Sequence, residues 1–154
     1  MKHTITKFYD AFKQLNASAM TSLYHEDIVF EDPAFGTLNG VRAIEMWYML
    51  CDSQKDKNFR IEVTNITDNS ASWEAFYTFS KTGRNVHNKI RATFEFKDGL
   101  IVRHTDCFSL YIWAKQAIGI KGWLLGNTGF FKKKLQARTN DLLNKYIDKK
   151  KLPK

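Results

Sequence analysis

The hydrophobic period of the chain changes once, near residue 59, and that change limits the folds open to it. Before it, apolar residues recur at helical spacing. Ile5, Phe8, Tyr9, Phe12 and Leu15 share one face over residues 4–16, and Val41, Ile44, Trp47, Tyr48 and Cys51 share another over residues 41–51. A shorter helix fits residues 18–24, with Ser18 as its cap. After the change they alternate: Phe59, Ile61 and Val63, then Trp73, Ala75, Tyr77 and Phe79, then Ile90, Ala92, Phe94 and Phe96, with a last strand from Leu100 to about Leu110. Three helices followed by four strands predict an α+β fold. Its curved, cone-shaped antiparallel sheet would have N-terminal helices enclosing a pocket, with a C-terminal helical extension.

Turns fall at Asp68-Asn69-Ser70 and Thr82-Gly83-Arg84. The last hairpin admits two registers. A two-residue Asp98-Gly99 turn would place Arg103 opposite Phe94, on the apolar side. A three-residue Lys97-Asp98-Gly99 loop with Gly99 left-handed in a bulge places Val102 opposite Phe94 and His104 opposite Ala92, and is the expected register. Val102, His104, Asp106 and Phe108 then share a face with Phe94 and Phe96. Two polar side chains thus enter an apolar wall.

Ahead of the sheet, Ile28, Val29 and Phe30 form a brief strand that closes on Glu31-Asp32-Pro33. The proline biases Asp32 toward extended backbone, and the chain continues as a loop through Gly36 and Gly40. Beyond Tyr111 an amphipathic helix reaches about Ile118, glycines punctuate residues 119–129, and a final helix covers residues 130–147. One domain of residues 1–154 is expected: a core over 5–110, a helical extension over 111–147 and a basic tail over 148–154. The formal charge is +8, but residues 132–154 carry nine Lys/Arg against two Asp, leaving fifteen against fourteen elsewhere. Positive charge confined to one terminal helix, without interleaved Arg and aromatic residues, argues against specific nucleic-acid binding. The two cysteines, Cys51 and Cys107, have no metal-ligand spacing, and no apolar run approaches a membrane span. A cytoplasmic location with free thiols is expected.

Residues 5 to 110 resemble the nuclear transport factor two-like superfamily, in particular its ketosteroid isomerase and SnoaL-like polyketide cyclase branches. The residues that carry the resemblance are Phe8-Tyr9 on the first helix, Leu23-Tyr24 before an acidic break, Phe30-Glu31-Asp32-Pro33, Gly40 before a helix, and the late strand pairs. The isomerase resemblance implies Asp32 as general base and Tyr9 as oxyanion donor. The isomerases' second donor, a protonated aspartate, falls on Ala92, which can donate nothing. The cyclase resemblance implies an acid–base aspartate on the last strand, at Asp106, with His104 two residues before it.

Carboxylates and a histidine in an apolar cavity suit proton transfer beside a carbonyl, because desolvation lifts a carboxylate toward neutrality. The candidate catalytic residues are therefore Asp106, His104, Asp32 and Tyr9, with Asp106 or Asp32 as base and His104 and Tyr9 bonding the substrate oxygen. Trp47, Trp73, Tyr77, Ala92, Phe94 and Phe108 are the candidate lining of a site for a small hydrophobic ligand. No cofactor and no metal are expected, since the acidic and histidine residues lack ligand spacing. The outer sheet face, with Phe76 among Thr78, Thr93 and Glu95, suggests a homodimer. The competing reading is a noncatalytic binding module of the same fold, in which these groups form a satisfied buried cluster. The two differ in geometry: an enzyme needs Asp32, His104 and Asp106 to converge in an accessible apolar cavity.

Overall fold

The computed structural model describes residues 1–151. In chain order the elements are α1 (Lys2–Lys13), α2 (Ala17–Thr21), β1 (Tyr24–Asp32), β2 (Gly36–Asn39), α3 (Val41–Gln54), β3 (Arg60–Thr64), β4 (Ser70–Phe79), β5 (Arg84–Lys97), β6 (Leu100–Cys107), α4 (Leu110–Ile118), α5 (Ile120–Leu125) and α6 (Gly129–Lys151). The strands make one curved, open sheet in the order β2-β1-β6-β5-β4-β3. It has six strands, because β2 adds to the brief strand and the four later ones expected, and it is mixed, because β1 runs parallel to β6 while the other neighbours are antiparallel. The helices α1, α2 and α3 supply Ile5, Phe8, Phe12, Met20, Met46 and Trp47 to the core against the inner face. A smaller cluster of Val86, Trp113, Ala114 and Ala117 joins α4 to the sheet.

The expected loop through Gly36 and Gly40 contains β2, whose Leu38 pairs with Phe30 and is buried. β1 is nine residues long and begins at Tyr24, which the helical reading of residues 18–24 had placed elsewhere. Its pairing with β6 breaks between Tyr24 and Val29, so the exposed Glu26 and Asp27 sit in an irregular stretch. The cap of α2 is Asn16, whose side chain accepts from the Ala19 amide, not Ser18. α6 runs on through Lys151, so residues 148–151 of the expected tail are helical, and residues 152–154 lie outside the described residues.

The last hairpin resolves the register differently from the expected three-residue loop. Asp98 and Gly99 both have positive φ (52° and 80°) and form a two-residue turn between Lys97 and Leu100. Such turns match the twist of the strands they join. The bulge lies further on: Phe96 pairs with Ile101 but Glu95 pairs with Arg103, leaving Val102 as the extra residue. Phe94 therefore faces His104, not Val102, and Ala92 faces Asp106, not His104. One inserted residue puts Ile101, His104 and Asp106 inside, and Arg103 outside beside Glu95 (3.4 Å).

Candidate active site

A chain of hydrogen bonds crosses the core from α3 to β4. Trp47 Nε1 donates to the Tyr24 hydroxyl (2.7 Å), which bonds His104 Nδ1 (2.7 Å). His104 Nε2 bonds Asp106 Oδ1 (3.2 Å), to which Trp73 Nε1 also donates (3.4 Å). The two indoles can only donate, and a carboxylate can only accept. Facing a carboxylate, His104 Nε2 is the donor to Asp106, and the Tyr24 hydroxyl, already accepting from Trp47, has Nδ1 as the acceptor of its own hydrogen. The imidazole is fully buried, stacked on Trp47 and tilted 4.4 Å from Phe94. Asp106 is 5% exposed, and both of its bonds fall on Oδ1, so among the described residues Oδ2 has no partner. Both ring nitrogens of His104, the expected donor to a substrate oxygen, are engaged within the protein, by Tyr24 and by Asp106.

Tyr9 is the opposite case. α1 turns it inward, where it is 1% exposed and edge-on to Phe94, yet its hydroxyl has no hydrogen-bond partner. Burial raises its pKa well above the usual tyrosine range, and the nearby Asp106 charge adds to this. The hydroxyl therefore keeps its proton and is a donor in need of an acceptor. Burial likewise raises Tyr24, opposed by the Trp47 hydrogen bond and reinforced by Asp106.

Asp32 ends β1 and does two things. Its Oδ1 accepts the amides of Ala34 (2.9 Å) and Phe35 (2.6 Å), capping the turn after Pro33. Desolvation nonetheless raises the carboxyl to about 7, against the pull of those amides and helped by the Asp106 charge. Asp32 thus meets Asp106 through its field, not through a hydrogen bond.

Trp47 on α3 and Trp73, Ala92 and Phe94 on the sheet are core residues. Tyr77 and Phe108 lie at the junction of the two clusters, where the Tyr77 hydroxyl accepts from Trp113 Nε1 (2.7 Å). Side chains fill the space around His104. Two open surface hollows, about 330 Å³ beside Lys57 and Thr78 and about 400 Å³ beside Lys7 and Leu23, are lined by none of the cluster residues. No group of three or more metal-ligating side chains occurs among the described residues. His25 is largely covered and pairs with Asp27, whereas His87 is exposed beside Glu74. Sequence reasoning missed Tyr24 and saw the indoles as apolar surface. The signal was available in part, because Tyr24 lies an even number of residues from Ile28 and Phe30; the polar run His25-Glu26-Asp27 concealed the continuity of the strand.

The structure is similar to several solved ones. Bal32a from a soil-derived mobile gene cassette superposes with a TM-score of 0.62 at 19% identity, covering 74% of this chain and 93% of that one. TerC co-crystallised with polyporic acid gives 0.57 at 16% identity, covering 69% and 88%. An LEH-like epoxide hydrolase of M. tuberculosis gives 0.55 at 18% identity, covering 79% and 90%. At these identities the likeness is one of fold. No curated protein sequence matches the chain. The SnoaL-like domain profile matches residues 5–104, from the first buried residue of α1 to the histidine at the centre of the hydrogen-bond chain, and by that match the protein belongs to the SnoaL-like domain family, within the nuclear transport factor two-like superfamily.

Proposed function

We propose that the protein catalyses a cofactor-free proton transfer on a small hydrophobic carbonyl compound, as an isomerase, cyclase or dehydratase. The observation that carries this is the hydroxyl of Tyr9, which is buried in the field of Asp106 and has no hydrogen-bond partner. A core built only for stability pairs such groups. In the proposed reaction Asp106 removes a proton from the carbon beside the substrate carbonyl. His104 and Trp73 hold its other oxygen, and Tyr9 donates to the developing enolate oxygen. Asp32, titrating near neutrality, takes or returns the second proton. The ring of Trp47, Trp73, Ala92, Phe94, Tyr77 and Phe108 supplies the apolar surroundings.

The noncatalytic reading is favoured by a different observation. Every bond in the Trp47–Tyr24–His104–Asp106 chain is satisfied, and His104 has no exposed surface. A thermal-shift screen with steroid, polyketide and lactone panels, followed by turnover assays on the hits, separates the two, since a specific ligand stabilises by mass action. Asp106→Asn and Asp32→Asn should each abolish turnover of a hit. Unchanged rates in both would leave only the binding module. We also propose a homodimer through the outer sheet face around Phe76, in a reducing compartment where Cys51 and Cys107 stay free. A monomer in sedimentation at micromolar concentration removes the dimer.

A further inference from the structure

We infer that the α5 segment and the start of α6 form a docking surface for an anionic lipid membrane. Six of the nine large exposed apolar side chains fall in one short stretch: Ile112, Ile120, Trp123, Leu124, Leu125 and Phe130. Their exposure is built in by the packing of α5. A Cβ on Gly122 would lie 2.0 Å from the Ala114 carbonyl oxygen, and one on Gly126 would lie 2.9 Å from the Ala114 Cβ. These two glycines, four residues apart, are the face that α5 presses on α4. Trp123, Leu124 and Leu125 therefore face outward. At the start of α6, Phe131 turns into the second core cluster and Phe130 is left out.

The charge around this surface decides its partner. No Asp or Glu occurs between Asp106 and Asp141, while Lys115, Lys121, Lys132, Lys133, Lys134 and Arg138 do. The five lysines are exposed and, among the described residues, none is within ion-pair distance of a carboxylate. Lys134 instead lies over the Phe130 ring (5.8 Å to the centroid). Exposed Trp, Leu, Ile and Phe interspersed along the chain with exposed lysines match the layered chemistry of a bilayer surface, where aromatic and aliphatic tips enter the interface and ammonium groups meet lipid phosphates. A second copy of the chain would bring the same positive field against itself. Nucleic acid offers little to aliphatic tips. No helix among the described residues is long and apolar enough to cross a membrane, so the contact is peripheral.

The test is co-sedimentation of the full chain with vesicles of mixed phosphatidylcholine and phosphatidylglycerol, against vesicles of phosphatidylcholine alone. Binding to the mixed vesicles only, weakened by added salt, is expected. Trp123→Ser with Leu124→Ser should abolish it. Lys132→Gln, Lys133→Gln and Lys134→Gln together should weaken it by about a hundredfold, given about fivefold per lysine near an anionic surface. All five positions are exposed, so circular dichroism should show the fold unchanged. The proposal is overturned by failure to bind the mixed vesicles, by equal binding to both kinds, or by binding that survives the Trp123 and Leu124 changes. It is equally overturned if those changes dissociate an oligomer, or if duplex DNA binds where vesicles do not.

Discussion

Tyr24→Phe tests the central hydrogen-bond chain with the removal of a single oxygen. In the structure that oxygen is the only partner of both Trp47 Nε1 and His104 Nδ1 among the described residues, and all three side chains are buried. Phenylalanine keeps the ring and its stacking on Phe8 (5.6 Å between centroids), so little packing changes. What remains is one indole N–H and one imidazole nitrogen without partners. Each such group costs about 1–3 kcal/mol, so the variant should lose about 2–6 kcal/mol. For a chain of this size that corresponds to a fall in Tm of roughly 4–24 °C, at about 2–4 °C per kcal/mol. Differential scanning calorimetry and urea titration measure it, and nitrogen chemical shifts should show His104 Nδ1 losing its hydrogen-bond partner. A loss under about 0.5 kcal/mol, the scale of an indifferent surface change, would refute the claim that these protons are held in a directed chain.

Three further outcomes follow from the same geometry. Asp32 has a folded pKa of about 7, above its unfolded value, so folding takes up a proton between roughly pH 4 and pH 7 and stability must fall as pH rises through that window; Asp32→Asn, which keeps an oxygen for the Ala34 and Phe35 amides, should flatten the decline, as equilibrium unfolding across that range would record. If Asp32 accepts a proton in turnover, activity should rise with pH through about 7 in the parent chain. Leu143 is the one residue of α6 in the main core and is fully buried; Leu143→Ala should cost about 2–5 kcal/mol, read by thermal unfolding, and a loss under 1 kcal/mol would show that α6 is not anchored there.

The periodic parts of the molecule were legible and the singular parts were not. α1, α3, β3, β4 and β5 announce themselves because each repeats one spacing over a long stretch. β2 has four residues, of which only Leu38 is buried, so it leaves no period to read. The inward placement of His104 and Asp106 followed from alternation, yet the argument for it located the bulge wrongly. A Gly-containing turn accommodates either loop, and only the paired strands show that Val102 carries the extra residue. The resemblance singled out Tyr9, which is buried, and Asp32, which is half-buried at the end of β1, but it could not show that Ala92 lies directly across from Asp106 on β6. Tyr24, Trp47 and Trp73 were harder still. An indole or phenol reads as apolar in any pattern, and its one polar atom matters only once a partner stands 3 Å away.

The turn that follows Asp32 explains why the acid cluster and a closed interior belong to one design. Asp32 binds the amides of Ala34 and Phe35, while α6 binds the carbonyls of the same turn: Gln136 to Pro33 (3.2 Å), Thr139 to Ala34 (2.8 Å) and Asn140 to Phe35 (2.9 Å). Arg42 on α3 reaches Asn140 and Asn144, tying helix to helix across the turn. Each of these hydrogen bonds contributes only about 0.5–1.5 kcal/mol net, so the turn can loosen bond by bond while Leu143 keeps α6 on the core, whereas the Tyr24–His104–Asp106 chain cannot lose a member without stranding a buried group. Any opening that admits a ligand should therefore occur at the Asp32 turn and α6, leaving the hydrogen-bond chain intact. Native-state hydrogen exchange would see this as faster exchange of the Ala34 and Phe35 amides than of the β6 amides. Equal protection at both places would mean that the interior opens only by global unfolding, and that the cluster around His104 serves stability alone.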